Sequence, residues 1–237
     1  MNAHYTYSLI DAGTILFPVL LSFDKKVAFY KQWKNLWPGM LLTGAFFIVW
    51  DILFNKWGVW SFNDAYIVGL RIGGLPIEEW LFFITVPYAC AFIYECLLQY
   101  LHMRKRADNG WWVLLLLSIL LMVVGVYFHD RAYTFSSFTF CGIALLLVYL
   151  LRKRIALFRA DAFLLTFLIS TLPFFIVNGL LTSMPVVLYN DTENLGIRIY
   201  TIPFEDNFYG MLLMLGNIAM MELRRARAAS VHSRPIV

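Results

Sequence analysis

Leu75-Pro76-Ile77-Glu78-Glu79-Trp80-Leu81-Phe82-Phe83 reads as the start of a long apolar helix. Ile202-Pro203-Phe204-Glu205-Asp206-Asn207-Phe208 repeats that start 127 residues later. In each stretch the proline suits the first turn of a helix, and the acids after it favour the positive end of the helix dipole. Behind each motif the chain stays mostly apolar for ~20 residues, the length that crosses a bilayer. Each motif therefore marks one end of a membrane span, at a depth where carboxyl groups are costly unless they do work.

Seven apolar runs of this kind are expected, at residues 5–23, 38–54, 78–100, 111–128, 134–151, 162–181 and 207–223. The 237-residue composition agrees: 61% is hydrophobic, only 14% is charged, and mean hydropathy is +0.69. These proportions exclude a soluble globular enzyme, a disordered tail and a disulfide scaffold. Eight tryptophans, thirteen tyrosines and twenty-one phenylalanines suit the aromatic belts of a bilayer protein. Cys90, Cys96 and Cys141 lie inside apolar runs without ligand spacing, so they read as buried thiols and no metal site is expected. The N-terminal MNAHYTY lacks a basic segment, so no cleavable signal peptide is expected. Of the 19 Lys and Arg residues, 15 fall after spans 1, 3 and 5 or in the C-terminal tail. That bias places the N-terminus outside and the C-terminus in the cytoplasm. The net charge of +4 is then a sidedness signal, with no case for nucleic acid.

The repeat extends beyond the two motifs. At the same offset of 127, taken without a gap, Asn63-Asp64 recurs as Asn190-Asp191, Gly69-Leu70-Arg71-Ile72 as Gly196-Ile197-Arg198-Ile199, and Glu95 as Glu222. Between 63 and 95 the copies share 8 of 33 positions, most of them polar, so common hydrophobicity does not explain the match. The expected architecture is an all-α polytopic membrane protein with seven transmembrane helices. Residues 1–104 form one three-helix repeat, 105–130 a connecting helix and 131–237 a second repeat. An even number of spans separates equivalent helices, so the repeats run parallel about an axis along the membrane normal and enclose a shared cavity.

This topology gathers polar residues at one depth. Asp51 and its counterpart Asn178 close spans 2 and 6, while Glu78, Glu79, Glu205 and Asp206 open spans 3 and 7. Acids crowded at one level resist ionising together, so at least one keeps its proton. Arg71 and Arg198, five residues before each proline, either pair with these acids or anchor loops at the headgroups. Trp80, Phe82, Phe83, Phe204, Phe208 and Tyr209 crowd the same layer, as membrane anchors or as faces that stabilise a cation. Trp57 and Trp60 read as anchors. Glu95 and Glu222 fall ~25 Å further along their helices, where a structural ion pair with the nearby Arg224 and Arg225 is expected. Asp11 has no acidic counterpart.

Two copies of Pro-x-Glu-(Glu/Asp), each opening a helix of a three-span unit, resemble the lycopene cyclase domain of the heterodimeric-type carotenoid cyclases, in its fused form. The resemblance covers nearly the whole chain, although Tyr209-Gly210 replaces Phe82-Phe83 in the second copy. It implies non-redox closure of the acyclic ends of lycopene to β-ionone rings, giving γ-carotene and then β-carotene. No flavin or dinucleotide cofactor is implied, and no Gly-x-Gly-x-x-Gly fingerprint is present. On this resemblance Glu78 and Glu205 are the principal acid and base, with Glu79 and Asp206 tuning them. Substrate contacts then fall to Asp51, Asn178, Arg71, Arg198, Pro76, Pro203 and the six aromatics. The implied partners are membrane lipid, lycopene and other enzymes of carotenoid biosynthesis. Competing readings are a cyclase of longer C50 carotenoids, an ε-ring cyclase and a small transporter. A retinal photoreceptor is disfavoured, since span 7 has no lysine for a Schiff base.

Overall fold

The computed structural model describes residues 3–232. Seven long helices make up most of it: α1 (Thr6–Leu21), α2 (Trp33–Lys56), α3 (Ile77–Tyr100), α4 (Gly110–Tyr127), α5 (Ala132–Leu150), α6 (Ala160–Ser183) and α7 (Asp206–His232). Among the described residues, five of them are long and apolar enough to cross a membrane, namely α2 with the turn before it, α3, α4, α5 and α6. Helix α1, with 16 residues, rises roughly 24 Å, short of the ~30 Å hydrocarbon core. Basic residues dilute the last turns of α7.

The chain is mostly helical, in line with the all-α expectation. Short strands connect the helices: β1 (Trp60–Phe62), β2 (Arg71–Ile72), β3 (Leu75–Pro76), β4 (Val187–Tyr189), β5 (Arg198–Ile199) and β6 (Ile202–Pro203). Strands β2 and β3 form a tight hairpin with Gly73 and Gly74 at φ +64° and +90°. Strands β5 and β6 form its counterpart, where Tyr200 takes the left-handed position at φ +60°. Pro76 and Pro203 belong to these hairpins and not to the first turn of a helix. Pro76, at φ −63° and ψ 149°, is extended and precedes α3. A proline suits an outer strand whose N–H has no ladder partner to lose.

Helices α2 and α6, and strands β1 and β4, start and stop 127 residues apart. Strand β1 pairs antiparallel with β4, so these matching segments meet each other, Trp60 opposite Tyr189 and Phe62 opposite Val187. Helix α1 packs on α3 as α5 packs on α7. Helix α2 lies against α7, and α6 against α3, so each half holds the third helix of the other. Helix α4 lies flat on α5, because Gly125 and Gly142 leave no Cβ to obstruct Thr139 and the Ser118 carbonyl.

At the ends of α3 and α7 remote from the motifs, Arg225 bridges Glu95 (2.8 Å) and Glu222 (2.7 Å), and Arg104 reaches Glu222 at 2.6 Å. The expected structural ion pair is present, built on Arg225 and joined by Arg104.

Candidate active site

Each motif hairpin is braced by its arginine. Arg71 donates to Asp64 (2.6 Å), to the Gly74 carbonyl (2.9 Å) and to the Phe62 carbonyl (3.2 Å). Arg198 repeats this with Asp191 and the Thr201 carbonyl. Asn63 and Asn190 accept the backbone N–H two residues on. The repeated Asn-Asp, Gly and Arg positions are thus the scaffold of one loop built twice. Of the two open roles for the arginines, their contacts match the loop anchor.

The four motif acids divide into two layers. Glu78 and Glu205 are fully buried behind the hairpins. Glu78 Oε1 accepts the Val68 N–H (2.8 Å) and the Ser8 hydroxyl (3.0 Å). Glu205 Oε1 accepts the Leu195 N–H (2.7 Å) and the Thr134 hydroxyl (2.6 Å). In both, Oε2 has no hydrogen-bond partner among the described residues. These two acids tie each loop to the first helix of its half.

Glu79 and Asp206 stand one residue further round and line a cavity between the halves, together with Asp51. Tyr7 donates to Glu79 (2.6 Å), and Tyr209 donates to Asp51 (2.6 Å). Asp206 receives two phenols, from Tyr133 and from Tyr189, the latter at 2.9 Å. Asp51 and Glu79 thus border one cavity, each already accepting a phenol from another helix. Interhelical hydrogen bonds in a bilayer contribute only about 1 kcal/mol each, so this network orients the acids more than it holds the fold.

Rings complete the wall. Tyr133 stacks on Tyr189 at 5.9 Å, and Trp60 meets Tyr133 edge-on at 5.1 Å. The reading of Trp60 as a membrane anchor is corrected here: it is 5% exposed and faces the cavity, whereas Trp57 is 65% exposed. Of the expected substrate contacts, Asp51, Asn178, Phe82 and Tyr209 line the cavity. Arg71, Arg198, Pro76, Pro203, Trp80, Phe83, Phe204 and Phe208 are not part of its lining. Trp80 donates to the Ile72 carbonyl (3.2 Å), and Phe204 and Phe208 pack with each other at 5.5 Å.

Tyr7, Tyr133 and Tyr189 also line the cavity, beyond the residues expected from sequence. Tyr7-Ser8 recurs as Tyr133-Thr134 at an offset of 126, one less than the rest of the repeat, so an ungapped comparison passes over it. Asp11 has no acidic counterpart in the second half. It is buried behind Glu78 and Glu79, with the Thr85 hydroxyl 3.5 Å from Oδ1 and no partner for Oδ2 among the described residues.

The family model for lycopene cyclase matches this chain twice, over residues 4–97 and 130–224. The chain is also 28% identical over 116 residues to the bifunctional lycopene cyclase/phytoene synthase of Neurospora crassa. That match takes in 45% of this chain and 19% of the fungal protein, so the chain spans about a fifth of the length of its curated relative. No solved structure matches it. With both matched regions carrying one copy of the acidic motif, the chain belongs to the lycopene cyclase family.

Proposed function

We propose that this chain is a membrane-embedded lycopene β-cyclase whose single site is shared by its two halves. The observation that carries the reading is the cavity in which Asp51 and Glu79 of one half face Asp206 of the other between aromatic walls. Protonation of lycopene at C2 leaves a tertiary cation at C1. The 5,6 double bond attacks it, forming the C1–C6 bond and moving the charge to C5. Loss of the C6 proton makes the ring double bond. One proton enters and one leaves, so the bond changes need no redox partner.

Asp51 and Glu79, two acids in one cavity that resist ionising together, hold the proton and supply the acid. Asp206, whose two phenol donors suit an ionised carboxylate, is the base. Acid and base must differ in protonation before the reaction starts, and the difference in their surroundings supports that division. The rings of Trp60, Tyr133 and Tyr209 stand where a passing cation is stabilised by their faces. Glu78 and Glu205, the leading candidates from sequence, take the supporting role that their loop contacts fit.

In this reading all seven helices cross the bilayer, α1 lengthened by the 3₁₀ turn Ala3–Tyr5 that precedes it, as two parallel repeats, residues 1–104 and 131–237, joined by the connector at 105–130. The N-terminus is outside, and the substrate and its product stay in lipid. Expression in lycopene-accumulating cells tests the activity. Extracted pigment is expected to shift from lycopene to γ-carotene and β-carotene. Unchanged lycopene in the presence of membrane-inserted protein would refute it.

A further inference from the structure

The halves meet through two interfaces, α2 on α7 and α6 on α3, which a perfect repeat would make alike. They differ. On the α2/α7 side, Gly39 and Gly216 allow such close approach that an added Cβ would stand 2.9 Å from Met220 and 3.0 Å from Thr43. Small residues at a crossing let helix backbones touch. The counterparts on the other side, 127 residues away, are Thr166 and Ala89, and α6 packs less extensively on α3.

The rings follow the same division. Phe47, Trp50, Phe83 and Tyr209 fill the α2/α7 side, with Phe47 4.7 Å from Tyr209, Trp50 5.1 Å from Tyr209 and Phe47 5.7 Å from Phe83. At the matching places stand Phe174, Val177, Gly210 and Phe82, two rings fewer. The Asp51–Tyr209 bridge has become Asn178 and Phe82, which lacks the hydroxyl. Space opens here as a largely apolar groove that borders α3 from Phe82 to Ile93, roughly 16 Å of helix. It continues from the acid cavity, with which it shares Phe82, Val86, Phe174, Asn178 and Gly210.

We propose that this groove holds the polyene chain of the carotenoid while its end group sits among the acids, and that the filled α2/α7 side provides no second channel. The proposal rests on the cyclase reading. A long hydrocarbon must leave the acid cavity along a continuous apolar wall, and the α3/α6 groove is continuous with that cavity. One channel means one end group at a time, so the monocyclic product must withdraw and re-enter the other way round.

The test uses full-length Glu79→Gln protein purified from lycopene-making cells, with bound polyene read by visible absorption per mole of protein. Adding Gly210→Phe restores the ring that Phe83 provides in the other half. Retained lycopene is expected to fall about tenfold or more, the scale of overpacking a fitted apolar site. Cys90→Phe fills the groove from α3 and is expected to act alike, whereas Leu168→Phe on the exposed face of α6 is not. In the otherwise wild-type chain both filling variants should lose ring formation in step. Pigment at the level of Glu79→Gln alone, or ring formation at the wild-type level, in filled variants with unchanged melting temperature, overturns the proposal. A wild-type chain that forms no rings, with bound lycopene still lost on Gly210→Phe, keeps the groove and rejects the cyclase reading.

Discussion

Tyr209 of α7 donates its phenol to the Asp51 carboxyl of α2 at 2.6 Å, joining the two halves of the chain across the site. The symmetry-related positions are Phe82 and Asn178, which have neither the hydroxyl nor the acid. An interhelical hydrogen bond of this kind contributes about 1 kcal/mol. Tyr209→Phe is therefore expected to slow ring formation about fivefold, measured as β- and γ-carotene formed per unit of protein. A rate equal to wild type would remove this bridge from the mechanism.

Glu79 and Asp206 act on the same substrate end in the proposed site. Glu79→Gln and Asp206→Asn should each cost about 10²–10⁴ in rate, the range of general acid–base catalysis. The double variant should be little worse than the weaker single, because groups that act as a unit are non-additive. If each single variant keeps about half the activity, as two independent sites would predict, the shared site is wrong.

Glu78→Leu and Glu205→Leu should damage the fold before the chemistry. Each strips the acceptor from one part-buried backbone N–H and one hydroxyl, at up to about 1–3 kcal/mol per orphaned group. Thermal unfolding in detergent measures this. Melting temperatures equal to wild type would contradict the supporting role.

Isotope placement follows from the proton balance. Cyclisation in heavy water should leave one deuterium at C2 of each new ring, read by mass spectrometry and NMR of the product. Rings without deuterium would exclude initiation by an exchangeable acid.

Arg225→Ala removes from Glu95 the ion pair at 2.8 Å and from Glu222 the one at 2.7 Å, with Arg104 still on Glu222. Breaking a buried ion pair on one side costs about 3–5 kcal/mol, so the melting temperature should fall sharply. Glu95→Gln combined with Glu222→Gln should restore part of the loss. No change in Arg225→Ala would show that solvent screens this cluster.

Sidedness is open to direct mapping. Reporter fusions should place residues 60 and 192 outside, and residue 106 and the C-terminus in the cytoplasm. A C-terminus outside would refute the seven-span reading.

Composition and periodic polar matches made the membrane class, the repeat and the motif acids legible in the linear chain. Long apolar runs satisfy their backbone only as helices, and the same polar residues at a fixed offset require the same loop twice. What lies between adjacent acids could not be read in this way. Glu78 and Glu79 differ by one residue, but a helix turns 100° in that step, which sends one side chain to the hairpin and the other to the cavity. Tyr7 and Tyr133 stay hidden for a related reason: their helix is shifted by one residue in the repeat, and only the packing of α1 on α3 and α5 on α7 brings each phenol to its acid. Trp60 is an interfacial tryptophan by sequence, and it becomes a wall of the site because β1 pairs with β4. The asymmetry of the site was written as Tyr209-Gly210 against Phe82-Phe83. Its consequence belongs to the tertiary structure, because a missing ring leaves a groove only where the facing helices are too far apart to close it.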